Sequence, residues 1–500
     1  MKRKKVLFYS TNSLGILHLG EELELLQNYT DENAEIHVIK CSGGLGSCYI
    51  NSTHNIFGCA MCVSSRDTFH SKFNIQKSHI HEIKQFDHDI DIPLFKDLGQ
   101  LLNFNYKGIP VGRAAASSAI SLFKEYDINE NHSRQQELIK ELLKTSINVT
   151  ENFFELLQKE SFDELVLFNG RFAELSPAME IAKQKGIPYY TYERGATESR
   201  YQLFKNALPH SIKRRTEYMN ELWETSGSEK EEVAIKWFES QVNSAEGFSK
   251  KFTAHQVAGK LPTQFDENKT NIAIFTSSDH ETKVIEEWKF GAYKHQNQAI
   301  IRMVENFKDN KDIHFYLRVH PHLRGVDSIQ TREISNFKSD NLTVIDSHSE
   351  IGTYTLMKKA DKVISFGSTI GIEATYLGLV SIMFGRSLYE NIDATYCPKT
   401  FEELFSLITD KTLKPKSKQN TLRFAFYRAR YGFKHVHYKF ENKRLAFFKG
   451  ERIKQVSVRA FISLLKQLKY FGHWNKMNKI LVDESVTLRN MLKLKTHFKK

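Results

Sequence analysis

The sequence predicts an α/β protein with two doubly wound, Rossmann-like domains facing a cleft, followed by a basic helical C-terminal extension. Three observations carry this. Short apolar runs alternate with helical patterns in two blocks, one before residue 207 and one after residue 271. A polar, helical stretch joins the blocks. Polar loops follow the apolar runs, at the strand ends where open α/β sheets hold ligands.

Lys5–Ser10 (KVLFYS) is an apolar run ending in TNSLG, a strand feeding a loop. Gly20–Tyr29 reads as a helix and Glu35–Lys40 (EIHVIK) as a second strand. Helices are expected near Arg113–Tyr126 and over Ser133–Lys159, where Leu138, Leu142, Leu143, Ile147, Phe153 and Leu156 recur at helical spacing. Glu164–Phe168 is a strand, NGR a loop, Ser176–Lys185 a helix opened by Ser-Pro, and Pro188–Tyr192 a strand. That βαβ rhythm requires a parallel sheet. From about Leu208 to Thr270 the chain is charged and helical, anchored by Trp223, Trp237 and Phe238. The second block runs NIAIFTSS, a helix near Gln296–Phe307, HFYLRVHP, LTVID, a helix through Ile351–Lys359, DKVISFGS, a helix from Ile372, LVSIMFG and a helix at Phe401–Thr409. The predicted divisions are 1–207, 208–270, 271–410 and a basic helical tail, 411–500.

With 40% apolar and 26% charged residues, the 500-residue chain has a globular composition, and its 9 Pro and 25 Gly exclude a fibrous or low-complexity one. No apolar run approaches the ~18 residues of a membrane span. The run Val6–Tyr9 behind the basic start is too short for a signal peptide, so a cytoplasmic location is expected. Charge is uneven: residues 411–500 hold 24 Lys/Arg against 4 Asp/Glu, the rest 47 against 55. A cationic surface of that kind attracts lipid headgroups, nucleic acid or charged glycan. Gln455–Phe471, drawn as a helix, gathers Val456, Phe461, Leu464, Leu465 and Leu468 near one face. It fits an anionic membrane surface, which would make the protein peripheral at the inner face of the cell membrane; the competing reading is a packed helix with a solvated basic side. Zinc-finger, RNP and KH patterns are missing, which disfavours nucleic acid.

Cys41, Cys48, Cys59 and Cys62 form C-x6-C-x10-C-x2-C. They are candidates for a structural zinc or iron–sulfur site, against the alternative of small core residues. A closed four-thiolate site leaves no place for substrate, so chemistry is not expected there.

The chemistry-bearing motifs lie in the second block. In ADKVISFGSTIGIEATYLG, Gly367, Ser368 and Thr369 form a turn between strand and helix, presenting amides and hydroxyls to an anion. Glu373 could accept from a ribose diol. The competing reading is a plain Ser/Thr-capped helix. In YLRVHPHLRG, His320 follows Arg318 at a strand end and precedes Pro321, which restrains it. His320 could stabilise a departing phosphate. The two turns are expected on neighbouring strands, converging on one phosphate pocket.

RVHPHLRG followed by ADKVISFGSTIGIEATYLGLVSIMFGRSLY resembles the C-terminal domain of capsule polysaccharide biosynthesis proteins, a group that includes bacterial Kdo transferases, and is similar to bacterial sialyltransferases with an HP motif. FNGRFAELSPAMEIAKQKGIPYYTYERG and FTSSDHE also resemble members of that group. The resemblance implies a GT-B glycosyltransferase with a nucleotide-sugar donor, for which a CMP-linked sugar is one candidate, and no obligatory catalytic metal or cofactor. It maps His320, Ser368 and Thr369 onto nucleotide-phosphate contacts. The acidic base motif of the sialyltransferases is missing.

On the other side of the cleft, Asn169, Gly170 and Arg171 follow one strand, and Glu193, Arg194 and Gly195 the next. Glu193 could serve as base, with Asn169, Arg171 and Arg194 holding sugar or acceptor; the competing reading is an Arg–Glu ion pair between loops. His18 and Arg113 are weaker candidates. In TSSDHE, Asp279, His280 and Glu281 could face the cleft, or Ser278 and Glu281 could cap a helix. The expected activity is sugar transfer to a growing surface glycan, capsule or lipopolysaccharide-type, on a lipid-linked acceptor. The alternatives are a teichoic-acid-type polyol-phosphate transferase using a CDP-alcohol, and a non-catalytic polysaccharide-assembly protein.

Overall fold

The computed structural model describes residues 3–11, 16–86, 90–242, 255–320, 323–442 and 445–453. The strands of the first block are β1 (Lys5–Ser10), β2 (Glu35–Lys40), β3 (Ile80–Glu82), β4 (Glu164–Phe168), β5 (Tyr189–Arg194) and β6 (Arg200–Lys205). Those of the second are β7 (Thr270–Phe275), β8 (Ile313–Arg318), β9 (Leu342–Ile345), β10 (Lys362–Ser365) and β11 (Val380–Met383). A short β12 (Phe433–Lys434) returns to the first sheet, giving the order β12-β6-β5-β4-β1-β2-β3. Strands β5, β4, β1, β2 and β3 are parallel, while β6 and β12 run antiparallel at the edge. The second sheet is wholly parallel, in the order β11-β10-β7-β8-β9.

Both sheets are covered on each face, which is why their strands read as near-continuous apolar runs. Val6 and Phe8 enter one core cluster and Leu7 and Tyr9 another. Ile313, Phe315 and Leu317 likewise face one side of β8, with Tyr316 on the other. The helix Ser133–Lys159 covers one face of the first sheet, burying Leu142, Leu143, Ile147, Phe153 and Leu156 as their spacing predicts, with Ile139 buried in place of the half-buried Leu138. The first helix is longer than predicted, Ile16–Asp31, and the one after β10 is short, Ile370–Tyr376.

In each sheet the first strand is central. The chain winds outward to two strands on one side, then crosses back to build the other, with β4, β5, β6 and the late β12 in the first sheet and β10 and β11 in the second. Strand order therefore reverses between β1 and β4, and between β7 and β10, and the open crevices lie beyond the carboxyl ends of those pairs. This corrects one expectation. β8, which leads into His320, and β10, which leads into Ser368, are separated by β7. At ~4.8 Å per strand their backbones stand about 10 Å apart.

Helices Ile212–Thr225 and Lys230–Val242 follow the first sheet. Their Met219, Ala234 and Phe238 share a core with Leu422, Phe424, Ala425, Phe426 and Tyr427 of the helix Gln419–Arg430, and Phe238 stacks on Tyr376 at 4.0 Å. Then β12 pairs with β6, and a hairpin of β13 (Tyr438–Asn442), β14 (Leu445–Phe448) and β15 (Glu451–Arg452) docks on the helix Ile16–Asp31. There the Glu24 carboxylate accepts from the backbone N–H groups of Val436, His437 and Tyr438 at 2.7–2.9 Å. The basic tail expected over 411–500 is thus corrected for its first part: the described residues to 453 cross back and complete the first domain. The Lys/Arg count conceals the apolar face of Gln419–Arg430. The amphipathic stretch Gln455–Phe471 lies outside the described residues. Among those described, no helix is long and apolar enough to cross a membrane.

Candidate functional site

The loop after β7 staples the second sheet's strand ends together. Thr276 Oγ1 accepts from the backbone N–H of His320 at 2.8 Å, and Ser277 Oγ donates to the Phe366 carbonyl at 3.0 Å. Ser277 is itself held by Gln296, whose amide bonds both its N–H and its carbonyl at 2.9 and 2.7 Å. Reading TSSDHE as a side-chain cap is not supported, because the buried Ser278 hydroxyl has no hydrogen-bond partner among the described residues. Its role is to join the loop of His320 to the loop of Ser368. Pro321 and His322 lie outside the described residues.

Gly367 has φ +97°, and a Cβ there would stand 2.6 Å from the Arg386 carbonyl, so the turn needs glycine. Tyr389 donates its hydroxyl to the Ser368 carbonyl at 2.5 Å, fixing the turn from below. Thr369 is exposed and its side chain caps no backbone N–H. Ser368 Oγ lies 3.4 Å from the Ile370 N–H. Glu373, a candidate reader of ribose, is corrected: it is 4% exposed and accepts from the Tyr354 hydroxyl at 2.7 Å. Burial raises its pKa, opposed by hydrogen bonds from Tyr354 and Thr369. It supports the turn from inside.

Arg318 ends β8 and is 2% exposed. One guanidinium nitrogen, Nη2, donates to the Ser349 carbonyl at 3.1 Å. Its Nε and Nη1 have no partner among the described residues. Burial lowers its pKa to about 10, with Asp346 opposing. A buried charged donor without an acceptor is costly, and an anion brought to it would relieve that cost.

In the first sheet, Asn169 (φ +53°) and Gly170 (φ +86°) form the sharp turn after β4. A Cβ on Gly170 would meet Met179 Sδ at 2.9 Å. The turn aims Asn169 Nδ2 at Glu193 Oε2, 2.9 Å away, while Glu193 Oε1 accepts from the Arg194 N–H at 3.2 Å. The expected Arg–Glu193 ion pair is not formed; the carboxylate takes an amide partner instead. Arg194 makes no side-chain hydrogen bond among the described residues, but its charge bears on His18 and Glu21. Arg171 lies over the Phe172 ring at 4.4 Å and donates through Nη1 to the Glu281 carbonyl of the second domain at 3.0 Å. Arg113 similarly meets Glu286 at 3.2 Å, and Trp288 donates to the His210 carbonyl at 2.8 Å. The two strand-end faces therefore meet across one cleft, with a cavity of about 440 Å³ lined by Arg113, Gly170, Arg171, Val284 and Glu286.

His18 stands between two carboxylates on this side. Its Nδ1 is 3.2 Å from Glu21 Oε2 and 3.9 Å from Glu193 Oε1, and its ring packs on Phe168 at 4.3 Å. Burial opposes charging of His18, but the Glu21 bond and the Glu21 and Glu193 charges outweigh it and raise its pKa. Burial pushes the Glu21 carboxyl up to about 7, against the pull of His18. The pair is oriented like the His–carboxylate half of a catalytic triad. Glu21 was missed in sequence reasoning; its signal is the i,i+3 spacing after His18 on one helix.

The expected cysteine metal cluster is not assembled. None of the four is in a disulfide, and no group of three or more metal-ligating atoms within 4.8 Å includes one, among the described residues. Cys59 and Cys62 ride on the helix Ile56–His70, whereas Cys41 and Cys48 lie in the loop before it. Three keep local partners: Cys41 the Gly43 N–H at 3.3 Å, Cys59 the Asn51 amide at 3.2 Å and Cys62 the Thr11 carbonyl at 3.8 Å. Burial raises the Cys48 and Cys59 thiols, which disfavours thiolates.

No family model matches the chain, and no curated protein does. Among solved structures, it is similar to the β-Kdo 2,4 transferase KpsC of Thermosulfurimonas dismutans, at 17% identity over 55% of this chain and 85% of that one, with a TM-score of 0.33. It is also similar to the UDP-GlcNAc 2-epimerase of Methanocaldococcus jannaschii, at 11% identity over 84% and 98%, TM-score 0.27. A third is the glycosyltransferase SnogD of Streptomyces nogalater, at 11% identity over 86% and 96%, TM-score 0.23. The fold rests on the strand order and register described above.

Proposed function

We propose that the protein transfers a sugar from a nucleotide-sugar donor, with CMP-linked sugars the first to try, to a surface glycan. The observation that carries this reading is one cleft with two unlike linings. A His18–Glu21 pair stands at the reversal point of the first sheet, and Arg318, Ser368, Thr369 and His320 stand around that of the second. In this reading the donor phosphate settles against the Arg318 guanidinium and the Ser368–Thr369 turn. His320 stabilises the charge that grows on the phosphate as the glycosidic bond breaks. The acceptor hydroxyl loses its proton to His18 Nε2, with Glu21 holding the Nδ1–H tautomer. This moves the base role from Glu193, which is occupied by Asn169, to His18. Arg171 and Arg194 then position donor or acceptor carboxylates. No step requires a metal.

The test is turnover of CMP-, UDP- and GDP-sugars by the purified full chain, read as nucleotide release with and without glycan acceptors. One donor should be consumed, and His320→Ala should lower kcat about 10²–10³-fold. An intact variant that turns over like the parent would remove His320 from the mechanism; failure of every donor to bind would remove the reading itself. The reading also includes docking on anionic lipid through residues 454–500, which hold 11 Lys/Arg against 2 Asp/Glu. Truncation after residue 453 should abolish co-sedimentation with phosphatidylglycerol vesicles and spare activity on a soluble acceptor.

A further inference from the structure

At the opposite end of the first sheet, remote from the cleft, the strand pattern gathers a second polar constellation. Period-two alternation sets Glu35 and His37 on one face of β2, and the register Ile39↔His81 sets His81 on the same face of β3. Glu160, just past the end of the helix Ser133–Lys159, closes over them. His37 is 2% exposed and its Nε2 is 2.9 Å from Glu35 Oε1, so Glu35 holds the Nε2–H tautomer and leaves the Nδ1 lone pair facing inward. That Nδ1 lies 3.1 Å from His81 Nε2 and 3.5 Å from Glu160 Oε2, and His81 Nε2 lies 3.8 Å from Glu160 Oε1.

We propose that His37 Nδ1, His81 Nε2 and the Glu160 carboxylate bind one divalent cation of the zinc class, with Glu35 as the orienting partner of His37. Donors at ~2.0–2.1 Å in a tetrahedron around zinc stand about 3.3 Å from one another, and the His37 Nδ1–His81 Nε2 and His81 Nε2–Glu160 Oε1 separations of 3.1 and 3.8 Å straddle that value. A carboxylate that fixes the far nitrogen of a ligand imidazole is the usual outer partner of such sites. Burial lowers the pKa of both His37 and His81, which keeps the rings neutral and able to ligate. Phe162 packs edge-on against His37 at 5.3 Å and walls one side. His81 and Glu160 retain some exposure, leaving an entry path and room for a water as fourth ligand. Lys5 Nζ is 2.6 Å from Glu160 Oε2 and is the competing cation; it can keep that oxygen while Oε1 turns to the metal. A second trio, Glu35, His37 and His79, also lies within ligand range. There the His37 and His79 rings stack face to face at 4.0 Å, which points their nitrogens alongside rather than toward a shared ion. A metal here would clip β2, β3 and the end of the long helix together, and would take no part in sugar chemistry.

The test uses the full chain stripped with a chelator, titrated with Zn²⁺ in competition with a chromophoric chelator and, separately, with Co²⁺ followed by visible absorption. One equivalent should bind, with an intense tetrahedral Co²⁺ band and no thiolate charge-transfer band, and Zn²⁺ should raise the melting temperature. Glu35→Gln should weaken binding about 10–100-fold, and His81→Ala and Glu160→Gln by more. His79→Ala should leave affinity unchanged within a few fold. His81→Ala and Glu160→Gln variants that melt cooperatively and still bind like the parent overturn the proposal. So do loss of binding in His79→Ala, a thiolate band, and no binding at all.

Discussion

The five parallel strands of the first sheet follow the same order as the five of the second, but the two sheets line their crevices differently. In the first, the acidic side chains are satisfied by neighbours, Glu21 by His18, Glu193 by Asn169, and Glu22 by both Tyr192 and His70 at 2.9 and 2.6 Å, although Arg171 Nε there has no partner among the described residues. In the second, two buried nitrogens of Arg318 have no acceptor among the described residues, while the exposed Thr369 bonds the buried Glu373 beneath it. A self-satisfied, shared-proton array suits proton transfer, whereas unspent donors suit an anion that arrives from outside. One topology thus supports two chemistries, and the difference lies in a few residues past the strand ends.

That contrast can be broken most sharply at His18. His18→Ala should lower kcat about 10²–10⁴-fold while donor KM changes little, because it removes a proton acceptor and no donor contact. An equal loss in donor binding would place His18 on the wrong side. Arg318→Met should do the converse. Donor affinity, measured by calorimetry, should fall about 10–100-fold as a charge-assisted bond is lost. Stability should hold or rise, since a buried and mostly unpaired guanidinium is removed. A lower melting temperature with unchanged donor affinity would make Arg318 a structural residue. Tyr354→Phe is the smaller perturbation. It strips the hydroxyl from buried Glu373, and urea unfolding should report a loss of about 1–3 kcal/mol.

The fold was legible because a parallel sheet covered on both faces writes itself as apolar runs such as KVLFYS and ELVLF. Glycines at forced turns, Gly367 and Gly170, marked the loops. Long-range pairing was not legible. Nothing local in YLRVHP or ISFGST reveals that β7 runs between them, so Thr276 and Ser277, which join the two loops, were given no role, and only Ser278 with Glu281 was weighed as a helix cap. Glu373 looked open because its place in the first helical turn is local, whereas Tyr354, which meets it, comes from another helix. The cysteines misled because proximity in sequence is not convergence of Sγ atoms. His37 and His81 went unremarked since their shared face depends on the register of β2 with β3. The basic count of residues 411–453 hid a strand and a hairpin that complete the first domain.

The finest test of the comparison is the pH dependence of the proton-sharing side. Glu21 has a folded value of about 7 against an ordinary 4.5, with burial as the main cause. The folded state therefore holds this proton more tightly than the unfolded chain does. Its contribution to stability is fully present below about pH 4.5 and is lost as pH rises through about 7. His18, also raised, acts in the same direction. Glu21→Gln keeps the shape and does not titrate, so its unfolding free energy should vary less than the parent's between about pH 4.5 and 7. Turnover should run the other way in the parent, rising only above about pH 6.5 as His18, whose pKa is raised, becomes able to accept a proton at Nε2, and this limb should shift toward lower pH in Glu21→Gln, where the carboxylate no longer favours imidazolium. Parallel stability curves for parent and variant would mean that Glu21 is ionised throughout, and the first crevice would then differ from the second in composition but not in proton affinity.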